Sequence, residues 1–137
     1  MGKIRTDIKG MYKLERHELY MTIHYALRYE EYKKEYKSLT DTAKGIRYDT
    51  DKVSTSIDSD PTFILAERRA DIGKKISNIE GAARSAGGEV LYPFLLRAVT
   101  QEGASFELLR DRYGMPVGKN LFYVLKRKFY YILAKKI

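Results

Sequence analysis

Lys119, Tyr123, Lys126, Arg127 and Tyr130 recur at i, i+4, i+7, i+8 and i+11, the spacing of one face of a helix. Ammonium and guanidinium groups suit phosphate oxygens and guanine edges, and tyrosine hydroxyls add uncharged hydrogen bonds. Just upstream, Arg112, Val117, Gly118 and Asn120 complete a set in which Asn120 matches the hydrogen-bonding edge of adenine. None of these groups is an activated nucleophile or a paired acid and base. Their chemistry is that of binding a polyanion and reading its bases.

Charge is concentrated in the same place. From Ala104 to the end there are eight cations (Arg110, Arg112, Lys119, Lys126, Arg127, Lys128, Lys135, Lys136) against Glu107 and Asp111, which is most of the chain's net charge of +8. Residues 60–103 balance, with six bases and six acids. A basic surface confined to one segment is the footprint expected of phosphate contacts.

The elements that must hold these residues are legible around them. Ser105 has the type of an N-cap, and Glu107 falls in the first turn that follows, where the helix dipole favours an acid. Leu108 and Leu109 make that short helix apolar on one side, Gly114 is placed for a left-handed C-cap, and Pro116 prevents simple continuation. A second helix is predicted from about Gly118, with Leu121, Leu125, Phe129, Ile132 and Leu133 as its apolar stripe. Two helices across a short Gly turn form a helix-turn-helix, here at about 105–136, which sets its second helix in a DNA major groove. Its N-terminal residues, Val117, Gly118, Lys119, Asn120 and Tyr123, are then expected at base edges, and Arg112, Lys126 and Arg127 at phosphates. Tyr130 extends the same face.

Upstream, Tyr12 to about Leu39 contains no internal Gly or Pro and is predicted as one long helix. Leu14, Glu18, Met21, Tyr25, Tyr29, Tyr32, Tyr36 and Leu39 step by three or four, and Leu19 or Tyr20, Ile23 and Leu27 form a second apolar line. The tyrosine stripe is packing surface, against the rest of the chain or, for its upper half, a second copy. Thr40–Asp60 is rich in Asp, Ser and Thr without periodicity and is expected as a polar loop. Asp60-Pro61 then starts a helix with Ile64, Leu65, Ile72, Ile76, Ile79 and Ala83 facing inward, ended by Gly87-Gly88. Val90 to about Thr100 makes a further short helix with Pro93 in its first turn. The fold class expected is all-α: a long N-terminal helix and polar linker over 1–59, then a helical DNA-binding domain over 60–137.

Other chemistry finds little support. His17 and His24 lie seven apart with no third ligand nearby, which is short of a metal site. Asp49, Asp51 and Asp60 match positions 1, 3 and 12 of a calcium loop, but Ser54 stands where Gly is required and the last ligand is not Glu. Gly118-Lys119-Asn120 lacks the hydroxyl of a phosphate-binding loop, and there is no Gly-x-Ser-x-Gly. No catalysis and no cofactor are expected. Cysteine is absent, so there is no disulfide framework. No signal peptide is visible in MGKIRTDIKG, and no apolar run approaches a membrane span. The myristoylation pattern is met at Gly2 and Thr6, but it is too short to outweigh chance. A cytoplasmic location and no membrane partner are expected.

Leu91–Ile137 resembles the helix-turn-helix region of sigma-like proteins. The wider plan, with YALRYEEYKKEY, a polar loop, DPTFILAERR and then the C-terminal motif, resembles small phage regulators of the ArpU/RinA type over roughly Tyr25–Lys136. Two features depart from the usual motif: Arg110 stands where Ala is common, and Leu121 lies one residue further from Gly114. The resemblance implies a sequence-specific double-stranded DNA-binding regulator that activates phage late genes. The apolar stripe of the first helix adds the expectation of a homodimer or small homo-oligomer, acting in the host bacterial cytoplasm with host RNA polymerase as a further partner. The alternative is the DNA-recognition (small) subunit of a phage terminase, although such subunits tend to carry their DNA-binding module first.

Overall fold

The computed structural model describes residues 12–48 and 61–137. Five helices follow in order: α1 Arg16–Leu27, α2 Tyr29–Tyr48, α3 Pro61–Thr100, α4 Phe106–Tyr113 and α5 Lys119–Lys136. No strand occurs among the described residues, and the fold is all-α.

The expected long first helix is divided. Arg28, at φ −86° and ψ 4°, leaves the helical ladder, and its N–H reaches the Tyr25 carbonyl at 3.3 Å, three residues back. In α1 the second apolar line is the buried one: Leu19, Thr22, Ile23 and Ala26 point inward, while Met21 of the expected stripe is 60% exposed. Thr22 satisfies its hydroxyl by donating to the Glu18 carbonyl at 2.7 Å. The helix after the break runs to Tyr48, so the expected loop at 40–60 is helical at its start. Ser and Thr do not prevent this, because Thr40 and Thr42 donate to carbonyls four residues back at 2.9 Å each. The calcium-like spacing from Asp49 to Asp60 and the Asp60 cap lie outside the described residues.

α3 combines the two helices expected on either side of Gly87-Gly88. Gly88 has φ 73° and ψ 179°, a backbone that an L side chain rarely adopts, and the helix turns a corner there. A Cβ at Gly87 would lie 3.1 Å from the Tyr92 nitrogen, so a side chain there would require the following arm to give by a few tenths of an ångström. The Arg84 guanidinium spans the same corner, 4.7 Å over the Tyr92 ring. Pro93 lies inside the second arm, five residues beyond Gly88, rather than in its first turn. Ile72, Ile79 and Ala83 are buried as expected, but Ile64 is 51% exposed.

The chain forms two compact units, and their boundary differs from a division at residue 60. One unit joins α1 to Asn78–Ile137; the other is Tyr29–Ser77. The physical basis for the first is direct. α1 packs on α5, Asn78 donates to the Tyr25 hydroxyl at 3.4 Å, and Ile79, Ala82, Ala83, Leu95, Val99, Phe129 and Leu133 are buried. In the second, α2 and the first part of α3 run antiparallel: Tyr32 meets Lys75, Tyr36 meets Arg69, and Glu35 meets Arg68 at 3.0 Å. The tyrosine stripe is therefore packing surface within one chain at Tyr32, whereas Tyr36, beneath the Arg69 guanidinium, stays 36% exposed.

Candidate nucleic-acid interface

The basic segment is built from α4, a turn and α5, with local sequence fixing each joint. The Ser105 hydroxyl accepts from the Leu108 N–H at 3.2 Å and caps α4, as its type and position predict. Gly114 closes α4 at φ 70° and ψ 34°. Its N–H reaches the Arg110 carbonyl at 3.2 Å and that of Met115 reaches the Leu109 carbonyl at 3.1 Å, so these two carbonyls near the end of α4 are satisfied. Gly118 is the N-cap of α5 without a side-chain bond, and α5 has no acid in its first turn.

One hydrophobic cluster sets the crossing of these helices. Ala98 from the second arm of α3, Phe106 and Leu109 from α4, Met115 from the turn and Phe122 from α5 are buried together, with Phe94 and Val117 packed against them. The Phe106 and Phe122 rings stand 5.7 Å apart. Arg97 ties the end of α4 to α3, lying 4.1 Å over the Tyr113 ring and donating to its hydroxyl at 3.2 Å. The second arm of α3, α4 and α5 thus share one apolar cluster, with α4 and α5 joined by a short Gly-containing turn.

The expected site residues divide into three groups. Arg112, Gly118, Lys119, Asn120 and Tyr123 are exposed, and the last three share the first turns of α5. Val117 is turned toward the cluster and is a packing residue instead. Lys126 and Arg127 are half-buried, and Tyr130 is buried at 3% exposure, so Tyr130 is not on the exposed basic face. Burial pushes the Tyr130 hydroxyl well above its ordinary range and the Lys126 ammonium below its own.

The inward stripe of α5 is accordingly Phe122, Phe129, Tyr130 and Leu133, with Lys126 lying along it, whereas Leu121 is 48% exposed. Hydropathy ranks Leu121 above Lys126 and so rotates the expected face. A lysine stem of four methylenes can cover apolar neighbours, so Lys126 can lie along this stripe with its ammonium partly desolvated.

Two acids adjoin the exposed cations. Glu107, in the first turn of α4, lies 3.9 Å from the Lys119 ammonium at the first turn of α5. Arg110 holds Asp111 at 2.8 Å, and this hydrogen bond keeps the Asp111 carboxyl below the usual range. The Glu107–Lys119 and Arg97–Tyr113 pairs join residues that no local spacing connects. His17 and His24 are both exposed, and no group of three or more potential metal ligands occurs among the described residues. No described helix is long and apolar enough to cross a membrane. Comparison of the chain with family models, with curated proteins and with solved structures finds no match.

Proposed function

We propose that the protein is a sequence-specific double-stranded DNA-binding regulator, an activator of phage late genes, that reads the major groove with the start of α5. The observation that carries this reading is the α4–Gly114–α5 arrangement. Capped and docked on α3, it leaves Lys119, Asn120 and Tyr123 exposed at the start of its second helix, in the most basic segment of the chain. Lys119 then addresses guanine and Asn120 adenine, and Arg112 meets phosphate. Such a module reads a short half-site, so the working form is a dimer or small homo-oligomer on paired half-sites, acting with host RNA polymerase in the bacterial cytoplasm.

The test is binding of the full chain to duplex DNA across a salt series. Replacing Lys119 and Arg112 together by Glu abolishes binding, and Arg112→Gln alone lowers the salt slope by about one. Both side chains are exposed, so circular dichroism and melting temperature stay as in the parent. Unchanged affinity and slope in the double variant would overturn the reading.

A further inference from the structure

Glu107 is an acid in the segment that carries most of the positive charge, in the first turn of α4. An acid there is worth a little to the helix through its dipole, and any other acidic position of the turn would serve that purpose. Its location adds something the dipole does not require. The start of α4 and the start of α5 lie side by side, and the Glu107 carboxylate meets the Lys119 ammonium at 3.9 Å with both side chains more than half exposed. A donor and an acceptor are thereby presented together at the surface, on two different helices.

That pairing matches one base pair in the major groove. Guanine shows two acceptors, N7 and O6, and its partner cytosine shows the N4 amino donor directly beside them. An ammonium on guanine and a carboxylate on cytosine satisfy both halves at once, each charge keeping its counter-charge as water leaves. An A·T pair shows an amino donor and a carbonyl acceptor in the same region without the two adjacent acceptors of guanine, and it offers this pair of groups a poorer match. We propose that Glu107 and Lys119 act as one unit that reads a single G·C pair, Lys119 donating to guanine and Glu107 accepting from the N4 amino group of cytosine.

This inference rests on the DNA-binding reading and adds a residue and a base pair to it. A plainer role for Glu107 competes with it: a counter-ion that restrains Lys119 and weakens binding to every sequence alike. The two differ in what a neutral acceptor can replace. Gln keeps a carbonyl oxygen for the cytosine amino group and loses only the charge, whereas Ala loses both.

The experiment selects sites from a randomised double-stranded DNA library with the full chain, then with Glu107→Ala and Glu107→Gln. The selected sites are assayed with each base pair exchanged in turn. The parent fixes a G·C pair at one position, Glu107→Ala relaxes the preference there by about tenfold while other positions hold, and Glu107→Gln retains part of it. A uniform gain in affinity for all sequences, equal in the Ala and Gln variants, assigns Glu107 the counter-ion role and overturns the proposal. An unchanged preference in both variants overturns it equally. Enrichment of no sequence by the parent chain removes the DNA-binding reading itself, and this proposal with it. Glu107 is exposed and the Ser105 cap does not involve its side chain, so both variants keep the fold.

Discussion

The helix pair α4–α5 and the helix pair of Tyr29–Ser77 both show amphipathic patterns in the sequence, yet they are held by different forces. In the first, two phenylalanines, a leucine, a methionine and an alanine close around one another, and both ends of α4 are capped. In the second, the ring faces of Tyr32 and Tyr36 are met by Lys75 at 5.2 Å and Arg69 at 5.6 Å, and Arg68 reaches Glu35. Apolar closure is insensitive to salt and intolerant of lost volume. Cation-on-ring contact is worth about 0.5–1 kcal/mol at exposed sites and tolerates considerable change. Under the proposed DNA-binding reading, this difference suits a module whose helix crossing must be accurate for side chains at the start of α5 to meet base edges together.

The comparison breaks first at Phe122. Removing its ring from the cluster leaves a cavity beside Phe106 and Leu109, and Phe122→Ala is expected to cost about 3–5 kcal/mol. Chemical denaturation followed by circular dichroism measures it. A loss below about 1 kcal/mol would mean that the cluster does not fix the crossing.

A smaller effect isolates the turn from the cluster. A Cβ at Gly114 would meet nothing within 4 Å, so only the φ of +70° opposes a substitution. Gly114→Ala is expected to cost about 1–2 kcal/mol through the backbone alone, and Gly114→Asn less, because Asn accepts the left-handed region more readily. Equal costs for Ala and Asn would show that something other than backbone conformation opposes the change.

These two positions also mark what sequence can disclose. Ser105 and Gly114 act on neighbours within a few residues, through a hydroxyl at the right offset and a missing Cβ, so the short helix and its turn are readable locally. The corner at Gly87-Gly88 is readable for the same reason. The face of α5 is not, because it depends on what packs against it. Lys126 lies along the inward stripe through its stem while Leu121 stays outside, an exchange that only neighbouring helices decide. The break at Arg28 likewise carries no Gly or Pro; α1 turns its Leu19–Ile23–Ala26 line inward instead of continuing the Met21–Tyr25 stripe. The same limit applies to the candidate interface. Lys119, Asn120, Tyr123 and Arg112 follow from helix periodicity and chain position, whereas Tyr130 and Val117 are lost from it to packing. Glu107 joins Lys119 only because two helix starts meet across the turn.

The smallest expected effect sharpens the comparison from the other side. Lys75 lies over the Tyr32 ring from the opposite helix, and Tyr32 is 2% exposed, so the ring is buried while the cation closes one of its faces. Lys75→Met keeps an unbranched stem of similar reach and replaces the ammonium by a thioether, which itself packs well on aromatic rings. Apolar cover is retained and the electrostatic attraction is lost, for an expected cost of about 0.5–1 kcal/mol. Hydrogen exchange along α2 reads the change locally, and added salt narrows the gap between parent and variant if the lost contact was electrostatic. A loss approaching that of Phe122→Ala would erase the contrast, because it would make this helix pair as dependent on one side chain as the cluster of α4 and α5. A gain in stability would go further. It would mean that desolvating the Lys75 ammonium costs more than the ring returns.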